Sequence, residues 1–127
     1  MRNPAITVRR VGQIALNAKN IPAVTAFYRD VLGLRHLFSV GEQMAFFDCG
    51  GVRFMLSRPS SPELDHPSSI LYLVVDDIET AHAALLAHGV PVERPPAMVA
   101  KLPDHELWLC PFRDPDGNLL ELMAEKR

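Results

Sequence analysis

The chain contains an internal repeat, and this repeat constrains its fold more than any other feature. A shift of 57 positions places Leu16 on Leu73, and a shift of 66 positions places Gly51 on Gly117. One insertion between the two halves accounts for the difference in shift. A half of roughly 60 residues has only a marginal core on its own, so we expect the two halves to share one core.

Each half is predicted to contain a strand, a helix and three further strands. In the first half, alternating apolar residues and glycine turns predict strands at 11–17, Arg35–Val40, Met44–Cys49 and Val52–Ser57. Asn20 is expected to cap a helix that carries an apolar stripe on one face and ends at Gly33.

The second half follows a linker at residues 58–69 that is rich in proline and serine. It is expected to hold a strand at 70–75, a helix at 78–88 capped by Asp77, a strand at Glu106–Arg113 and a closing strand that contains Glu121. Pro95 and Pro96 argue against a central strand before Glu106, so we expect an edge strand or an irregular segment there. The predicted organisation is one domain at 1–127, with modules at 11–57 and 70–124.

Composition excludes several functional classes. The chain has 127 residues, of which 48% are hydrophobic, and its net charge of −2 provides no basic surface for nucleic acid. No apolar run reaches the roughly 18 to 20 residues of a membrane helix, and Met1 to Pro4 lack the apolar segment of a signal peptide. We therefore expect a soluble, cytoplasmic protein that binds neither nucleic acid nor membrane, with Cys49 and Cys110 as two buried thiols.

Three motifs carry a resemblance to a known family. They read AFYRDVLGL at 26–34, VDDI at 75–78 and DPDGNLLEL at 114–122. In this order and spacing they resemble the vicinal oxygen chelate superfamily, the glyoxalase, bleomycin-resistance and extradiol-dioxygenase group. The resemblance implies an α+β fold of two βαβββ modules, with cupped mixed sheets around a cleft, in a homodimer that binds a small molecule.

The resemblance also implies four places for metal ligands, on the first and the last strand of each module. Those places hold Gln13, Met55, Ile70 and Glu121. A thioether is a poor ligand for a hard or borderline divalent ion, and isoleucine offers no donor. Gln13 and Glu121 alone would hold a divalent metal only weakly, so no cofactor is expected.

Glu121 is the main catalytic candidate, because it is the one ionisable side chain in an apolar stretch of the closing strand. The repeat aligns it with Met55, so only the second copy carries a carboxylate at this place. A carboxylate in an apolar cleft can act as a general acid or base. The structural alternative is a surface carboxylate that pairs with Arg53 or Arg113.

Other side chains are candidates for the same site. Gln13 is expected to orient a substrate oxygen, and His105, just before a strand, is expected to act as a second catalytic group at the rim. For His105 the alternative is a solvated loop histidine. An apolar lining for the ligand is expected from Met55, Tyr72, Trp108 and Phe112, with the core as their alternative place.

Two functions follow from this set. The first is a glyoxalase-like enzyme of the lyase or isomerase type, which moves a proton on a carbonyl-containing metabolite with Glu121 as acid or base. The second is a protein that binds a drug or metabolite in an apolar cleft without turnover, as resistance members of the superfamily do. A domain retained only for assembly is a third alternative.

Overall fold

The computed structural model describes residues 4–127, so residues 1–3 of the predicted polar start lie outside the described residues. The first module forms a four-stranded mixed sheet in the order β1-β4-β3-β2. Its elements are β1 (Gln13–Asn17), α1 (Ile21–Ala26), a π-helical turn (Phe27–Val31), β2 (Arg35–Val40), β3 (Met44–Cys49) and β4 (Val52–Ser57). Three of the four strands have the predicted bounds, and β1 begins two residues later than predicted.

The second module repeats this arrangement in a sheet of order β5-β8-β7-β6. It follows a short 3-10 turn at Pro62–Leu64 within the predicted linker. Its elements are β5 (Leu71–Val74), α2 (Ile78–Ala87), β6 (Ala97–Lys101), β7 (Glu106–Arg113) and β8 (Leu119–Lys126). The edge strand allowed after Pro96 is present as β6. The predicted α+β fold of two βαβββ modules is confirmed. Within residues 4–127, neither helix is long and apolar enough to cross a membrane.

The two helices begin in the same way, at equivalent positions of the repeat. Asn20 Oδ1 accepts a hydrogen bond of 3.1 Å from the amide of Ala23, and Asp77 Oδ1 accepts one of 3.0 Å from the amide of Thr80. Each cap satisfies an amide that has no partner within its helix. The hydrogen bonds from Thr80 hold the pKa of Asp77 below its ordinary value.

The first helix differs from the prediction in its last turn. It was predicted to continue to Gly33, but beyond Ala26 it widens into the π-helical turn. There the amide of Leu32 donates to the carbonyl of Phe27, five residues earlier, at 3.1 Å. In this wider turn the adjacent residues Phe27 and Tyr28 are both buried. Such turns are rare, and tertiary packing rather than local propensity places this one.

Both sheets share one hydrophobic core through the faces that carry the helices. Buried residues of this core come from both modules: Leu16, Ile21, Val24, Phe27, Tyr28, Phe47, Phe54, Leu56, Ile78, Leu85, Cys110, Phe112, Leu120 and Leu122. The rings of Phe27 and Phe112 lie 6.4 Å apart across the junction. As the repeat predicted, neither half buries its core alone.

Asp114 connects the modules with buried hydrogen bonds. Its Oδ2 accepts from the Tyr28 hydroxyl at 2.7 Å and from Asn118 Nδ2 at 3.0 Å. Its Oδ1 accepts from the amides of Asp116 and Asn118 at 2.8 and 2.9 Å. The pKa of Tyr28 is raised, first by burial and then by the neighbouring carboxylate of Asp114. The DPDG motif is therefore a structural turn that also fixes the first helix to the second sheet.

Candidate functional site

The face of the first sheet that points away from the core is called here the first outward face. Side chains alternate along a strand, and Leu16, Phe47 and Phe54 point into the core. The residues next to them in sequence therefore point outward. In the register of the sheet, Gln13 lies beside Arg53, Ala15 beside Met55, and Met55 beside Phe46. Two predicted site residues, Gln13 and Met55, thus share this face.

Arg53 is the dominant charge on the first outward face. Its Nε donates to Gln13 Oε1 at 2.7 Å, and its guanidinium carbon lies 5.4 Å from the centre of the Phe46 ring. On the other side, Gln13 Nε2 lies 3.7 Å from Met55 Sδ. A surface cavity of about 470 Å³ adjoins the pair, lined by Arg10, Gly12, Gln13, Asp48, Gly51 and Arg53. The amide oxygen of Gln13 is therefore already engaged by a cation.

The corresponding face of the second sheet, the second outward face, carries Glu121. In the register, Glu121 lies between Tyr72 on β5 and Pro111 on β7. Glu121 Oε1 is inaccessible to solvent and accepts no hydrogen bond from any residue in the range 4–127. Neither predicted arginine partner reaches it, because Arg53 binds Gln13 and Arg113 pairs with Glu93 at 2.7 Å. The structural alternative of an arginine-paired Glu121 is thus not what the structure contains.

Trp108 and Phe112 do not line this face with Glu121, contrary to expectation. Because Pro111 lies beside Glu121 in the register, the even-numbered residues of β7 point to the core side. Phe112 is fully buried there. Trp108 Nε1 donates to Glu106 Oε1 at 3.0 Å, and Lys126 Nζ lies 3.8 Å from the centre of its ring. The sequence established that Trp108 and Phe112 share a face, but not which face it is.

His105 is also separate from Glu121. It lies just before β7, with Nδ1 2.8 Å from Asp104 Oδ1 and Nε2 3.8 Å from Glu125 Oε1. Glu125 is four residues beyond Glu121 on the same strand, about 13 Å along it. The hydrogen bond with His105 keeps the pKa of Asp104 below its ordinary value. His105 therefore belongs to an ionic cluster at the far end of the sheet.

Gln13 and Glu121 lie on different sheets, and no hydrogen bond joins them among residues 4–127. The helix-bearing faces of the two sheets meet in the core, so the outward faces that carry Gln13 and Glu121 do not face each other within one chain. Met55 stays with Gln13, and Tyr72 stays with Glu121. The predicted site is thus divided into two half-sites.

The four ligand places implied by the family do not fit a divalent metal ion. Gln13 offers its oxygen to Arg53, Met55 offers a thioether, and Ile70 offers no donor. Glu121 is the one remaining hard donor. In the part of the chain that the structure describes, no group of three or more His, Cys, Asp or Glu residues could hold a metal ion. A cation brought to Gln13 would also meet the positive charge of Arg53.

Sequence reasoning missed Arg53 as a site residue and considered it only as a partner for Glu121. A usable signal was present. Arg53 is two residues before Met55 on the same strand, so both point to one face, and a Gly50-Gly51 turn follows Asp48. The hairpin therefore places a charged pair beside one of the four ligand places. The contact with Gln13 requires the parallel register of β1 and β4, which the sequence does not state.

Comparison with known proteins agrees with the fold and with its motifs. Residues 10–122 match the model of the family described as the Glyoxalase/Bleomycin resistance protein/Dioxygenase superfamily. Lactoylglutathione lyase from Agrobacterium tumefaciens is similar in structure, with 26% identity, a TM-score of 0.72, and coverage of 91% of this chain and 92% of that one.

Two further solved structures are similar at lower identity and show the fold alone. A superfamily member from Sphaerobacter thermophilus has 24% identity and a TM-score of 0.76, over 93% of this chain and 98% of that one. A genomically encoded fosfomycin resistance protein from Listeria monocytogenes has 19% identity and a TM-score of 0.72, over 93% and 94%. These relatives include both a lyase and a resistance protein.

Proposed function

Because the chain belongs to the Glyoxalase/Bleomycin resistance protein/Dioxygenase superfamily, we propose that it is a glyoxalase-like enzyme that transfers a proton on a carbonyl-containing metabolite. Glu121 is the proposed acid or base. The observation that carries the proposal is Glu121 Oε1, which is buried without a hydrogen-bond partner in residues 4–127. A buried acceptor left unpaired costs about 1–3 kcal/mol. Oε1 has no accessible surface, so a substrate reaches it only after the carboxylate rotates, and a donor that then pairs with it recovers that free energy.

The proposed step uses Glu121 as the base. Its carboxylate takes a proton from the carbon next to the carbonyl, the C–H electron pair moves into the C–C bond, and the carbonyl oxygen becomes an enolate. Glu121 then gives the proton back to the same carbon, the C–C double bond supplies the electron pair for the new C–H bond, and the carbonyl re-forms, so that the carboxylate of Glu121 is regenerated. The enolate oxygen needs a hydrogen-bond donor. Gln13 Nε2 suits this role, because its contact with Met55 Sδ at 3.7 Å is a weak one that a substrate oxygen can replace.

The proposed active unit is a homodimer, because Gln13 and Glu121 come together only if the first outward face of one copy covers the second outward face of another. Apolar exposure on both faces supports this. Phe38 is 47%, Tyr72 49% and Val74 74% exposed, which is more apolar surface than isolated side chains usually leave open. Light scattering after size exclusion is expected to give a mass of two chains. A monomer that retains activity would contradict the shared site.

Proton exchange tests the proposed function with any compound that carries an exchangeable proton next to a carbonyl. Candidate ketones, aldehydes and 2-oxo acids are incubated with the protein in D₂O, and loss of that proton is followed by NMR. Glu121→Gln is expected to lower the exchange rate at least 100-fold, the typical contribution of a general base. Glu125→Gln, on the same strand and face, is the matched control and should keep the rate. Equal rates in wild type and Glu121→Gln would exclude Glu121 as the base.

A second candidate, a protein that binds an apolar small molecule without turnover, is supported by another cavity. It measures about 480 Å³ and lies at the free edge of β5, between the modules. Its lining is mostly aliphatic and includes Leu34, Leu73, Leu85 and Leu122, with Tyr72 at one side. Such a volume and lining suit a small apolar ligand.

The neutral dye Nile red tests this cavity. Its fluorescence is expected to rise with wild type and to be lost in Ala84→Phe, which places a ring in the cavity, since Ala84 is one of the lining residues. Ala83→Phe, one residue earlier on the same helix and exposed, is the control. Unchanged dye binding in Ala84→Phe would show that the cavity is not the binding site.

A further inference from the structure

We propose that Arg53 is a binding residue for the carboxylate of an organic anion whose apolar part lies on Met55, beside the ring of Phe46. This inference names a ligand class for the first outward face. It rests on the proposed function for the role of that face, but it is measured by binding rather than by turnover.

Arg53 is held in a position from which it can donate to a ligand. Its Nε is fixed on Gln13 Oε1 at 2.7 Å, and the ring of Phe46 lies under its guanidinium carbon at 5.4 Å. Phe46 is in turn stacked on Phe38, with the ring centres 4.4 Å apart. The two Nη groups of Arg53 make no hydrogen bond to residues 4–127. A guanidinium with Nε engaged still presents donors in a plane that matches a carboxylate.

The charges around Arg53 favour an anion, with one opposing group. Arg10 lines the same cavity and adds a second positive charge. Asp48 lies beside Arg53 in the antiparallel register and points to the same face. Within residues 4–127, however, no carboxylate oxygen lies within 4.0 Å of a nitrogen of Arg53. Two guanidinium groups and one carboxylate leave the cavity with a net positive charge.

The neighbouring side chains define the rest of the ligand. Met55 is two residues from Arg53 on the same strand, about 7 Å away, and lies beside Phe46 in the register. The ring of Phe46 lies between Arg53 and Phe38 and is only 8% exposed. A ligand whose carboxylate binds Arg53 would therefore place its next atoms on the Met55 thioether and at the edge of the Phe46 ring. This arrangement favours an aromatic or aliphatic carboxylate over a small inorganic anion. Gln13 occupies one of the places that carry metal ligands in the family, and Arg53 supplies a fixed positive charge next to it.

Benzoate and benzamide, which share a shape and differ in charge, test the proposal with the full chain. In titrations followed through the arginine Nε–H signals in ¹H–¹⁵N spectra, benzoate is expected to shift the Arg53 signal to saturation, and benzamide is not. Arg53→Gln should weaken benzoate binding about tenfold, the effect of one charge-assisted contact at a solvated site. Arg58→Gln, an exposed arginine just beyond β4, is the control and should bind as wild type.

Asp48→Asn removes the opposing charge, so it should strengthen benzoate binding about two- to fivefold. Benzoate binding that is equal in wild type and Arg53→Gln, or equal binding of benzamide, would overturn the proposal. If inorganic phosphate binds as tightly as benzoate, the claim that the apolar part of the ligand contributes to binding is overturned. Circular dichroism checks the fold of each variant, and the benzoate-to-benzamide ratio of the wild type stands whether or not Arg53→Gln folds.

The two proposals can fail separately. Benzoate binding through Arg53 without any proton exchange would support this inference and overturn the proposed enzyme. Proton exchange that depends on Glu121, together with benzoate binding unaffected by Arg53→Gln, would support the enzyme and overturn this inference.

Discussion

The two outward faces of the molecule occupy equivalent positions of one repeat and have opposite chemistry. On the first, Arg53 Nε donates to Gln13 Oε1 and the net charge is positive. On the second, Glu121 has a buried oxygen with no partner in residues 4–127. The strands beneath them have the same order and register pattern. The duplication therefore preserved the order and pairing of the strands, whereas the outward side chains diverged, so that Arg53 gives the first face a cation and Glu121 gives the second face a carboxylate.

The largest expected effect on the free energy of unfolding comes from the shared core, which joins the two modules that carry the outward faces. Phe112→Ala removes a fully buried ring that lies beside Phe27 of the other module, and should lower the free energy of unfolding by about 3–5 kcal/mol. Leu86→Ala, at a position of α2 that is 56% exposed and lies on neither outward face, is the control and should cost less than about 1 kcal/mol. Both are measured by urea unfolding.

A wild-type transition with two separate steps, of which Phe112→Ala shifts only one, would show that the modules unfold independently. The two modules would then be two domains rather than two parts of one core.

A smaller effect on the free energy of unfolding is expected at the hydrogen bond between Tyr28 and Asp114, which joins the two modules. Tyr28→Phe leaves Asp114 without a hydrogen bond of 2.7 Å in a buried position, and should cost about 2 kcal/mol of unfolding free energy. Tyr72→Phe, at an exposed tyrosine of the second outward face, should change the unfolding free energy by less than about 0.5 kcal/mol. Equal costs for the two tyrosines would mean that the Tyr28–Asp114 contact does not stabilise the junction.

The smallest effect concerns the helix caps and depends on pH. Asp77 has a pKa held below its ordinary value of 3.8 by hydrogen bonds from Thr80. Above pH 3.8 the ionised Asp77 makes its full contribution to the free energy of unfolding. This contribution is lost as the pH falls through the lower pKa that Asp77 has in the folded protein. Asn20, the equivalent cap of α1, does not titrate. Asp77→Asn should reduce the loss of stability in acid, and Asn20→Asp should increase it, as measured by urea unfolding between pH 2 and pH 6. Identical acid profiles for all three proteins would contradict the account of the caps.

Most of the strands and helices could be predicted from the sequence, because the alternation of apolar and polar side chains and the glycine turns are local signals. The bounds of β3 and β4 follow from Gly41, Gly50-Gly51 and the apolar alternation between them. The caps at Asn20 and Asp77 follow from residue type and position. The π-helical turn after Ala26 was not accessible, because it depends on how Phe27 and Tyr28 pack in the core.

Less of the candidate site could be predicted from the sequence, because the site depends on contacts between strands that are far apart in the sequence. The alternation of side chains along a strand showed that Trp108 and Phe112 share a face. The pairing of Pro111 with Glu121 was needed to show that this face points to the core. The pairing of Arg53 with Gln13 spans 40 positions. No local pattern distinguishes it from the pairing with Glu121 that the sequence also allowed.

The most direct test is a titration with divalent metals, because Arg53 occupies the oxygen of Gln13, Met55 and Ile70 offer no hard donor, and Glu121 alone is left to bind a metal ion. Calorimetric titration of the purified, chelator-treated protein with nickel, zinc, manganese and iron(II) is expected to show no tight binding in either wild type or Glu121→Ala. Tight stoichiometric binding to wild type that is abolished in Glu121→Ala would contradict the account and restore Glu121 as a metal ligand.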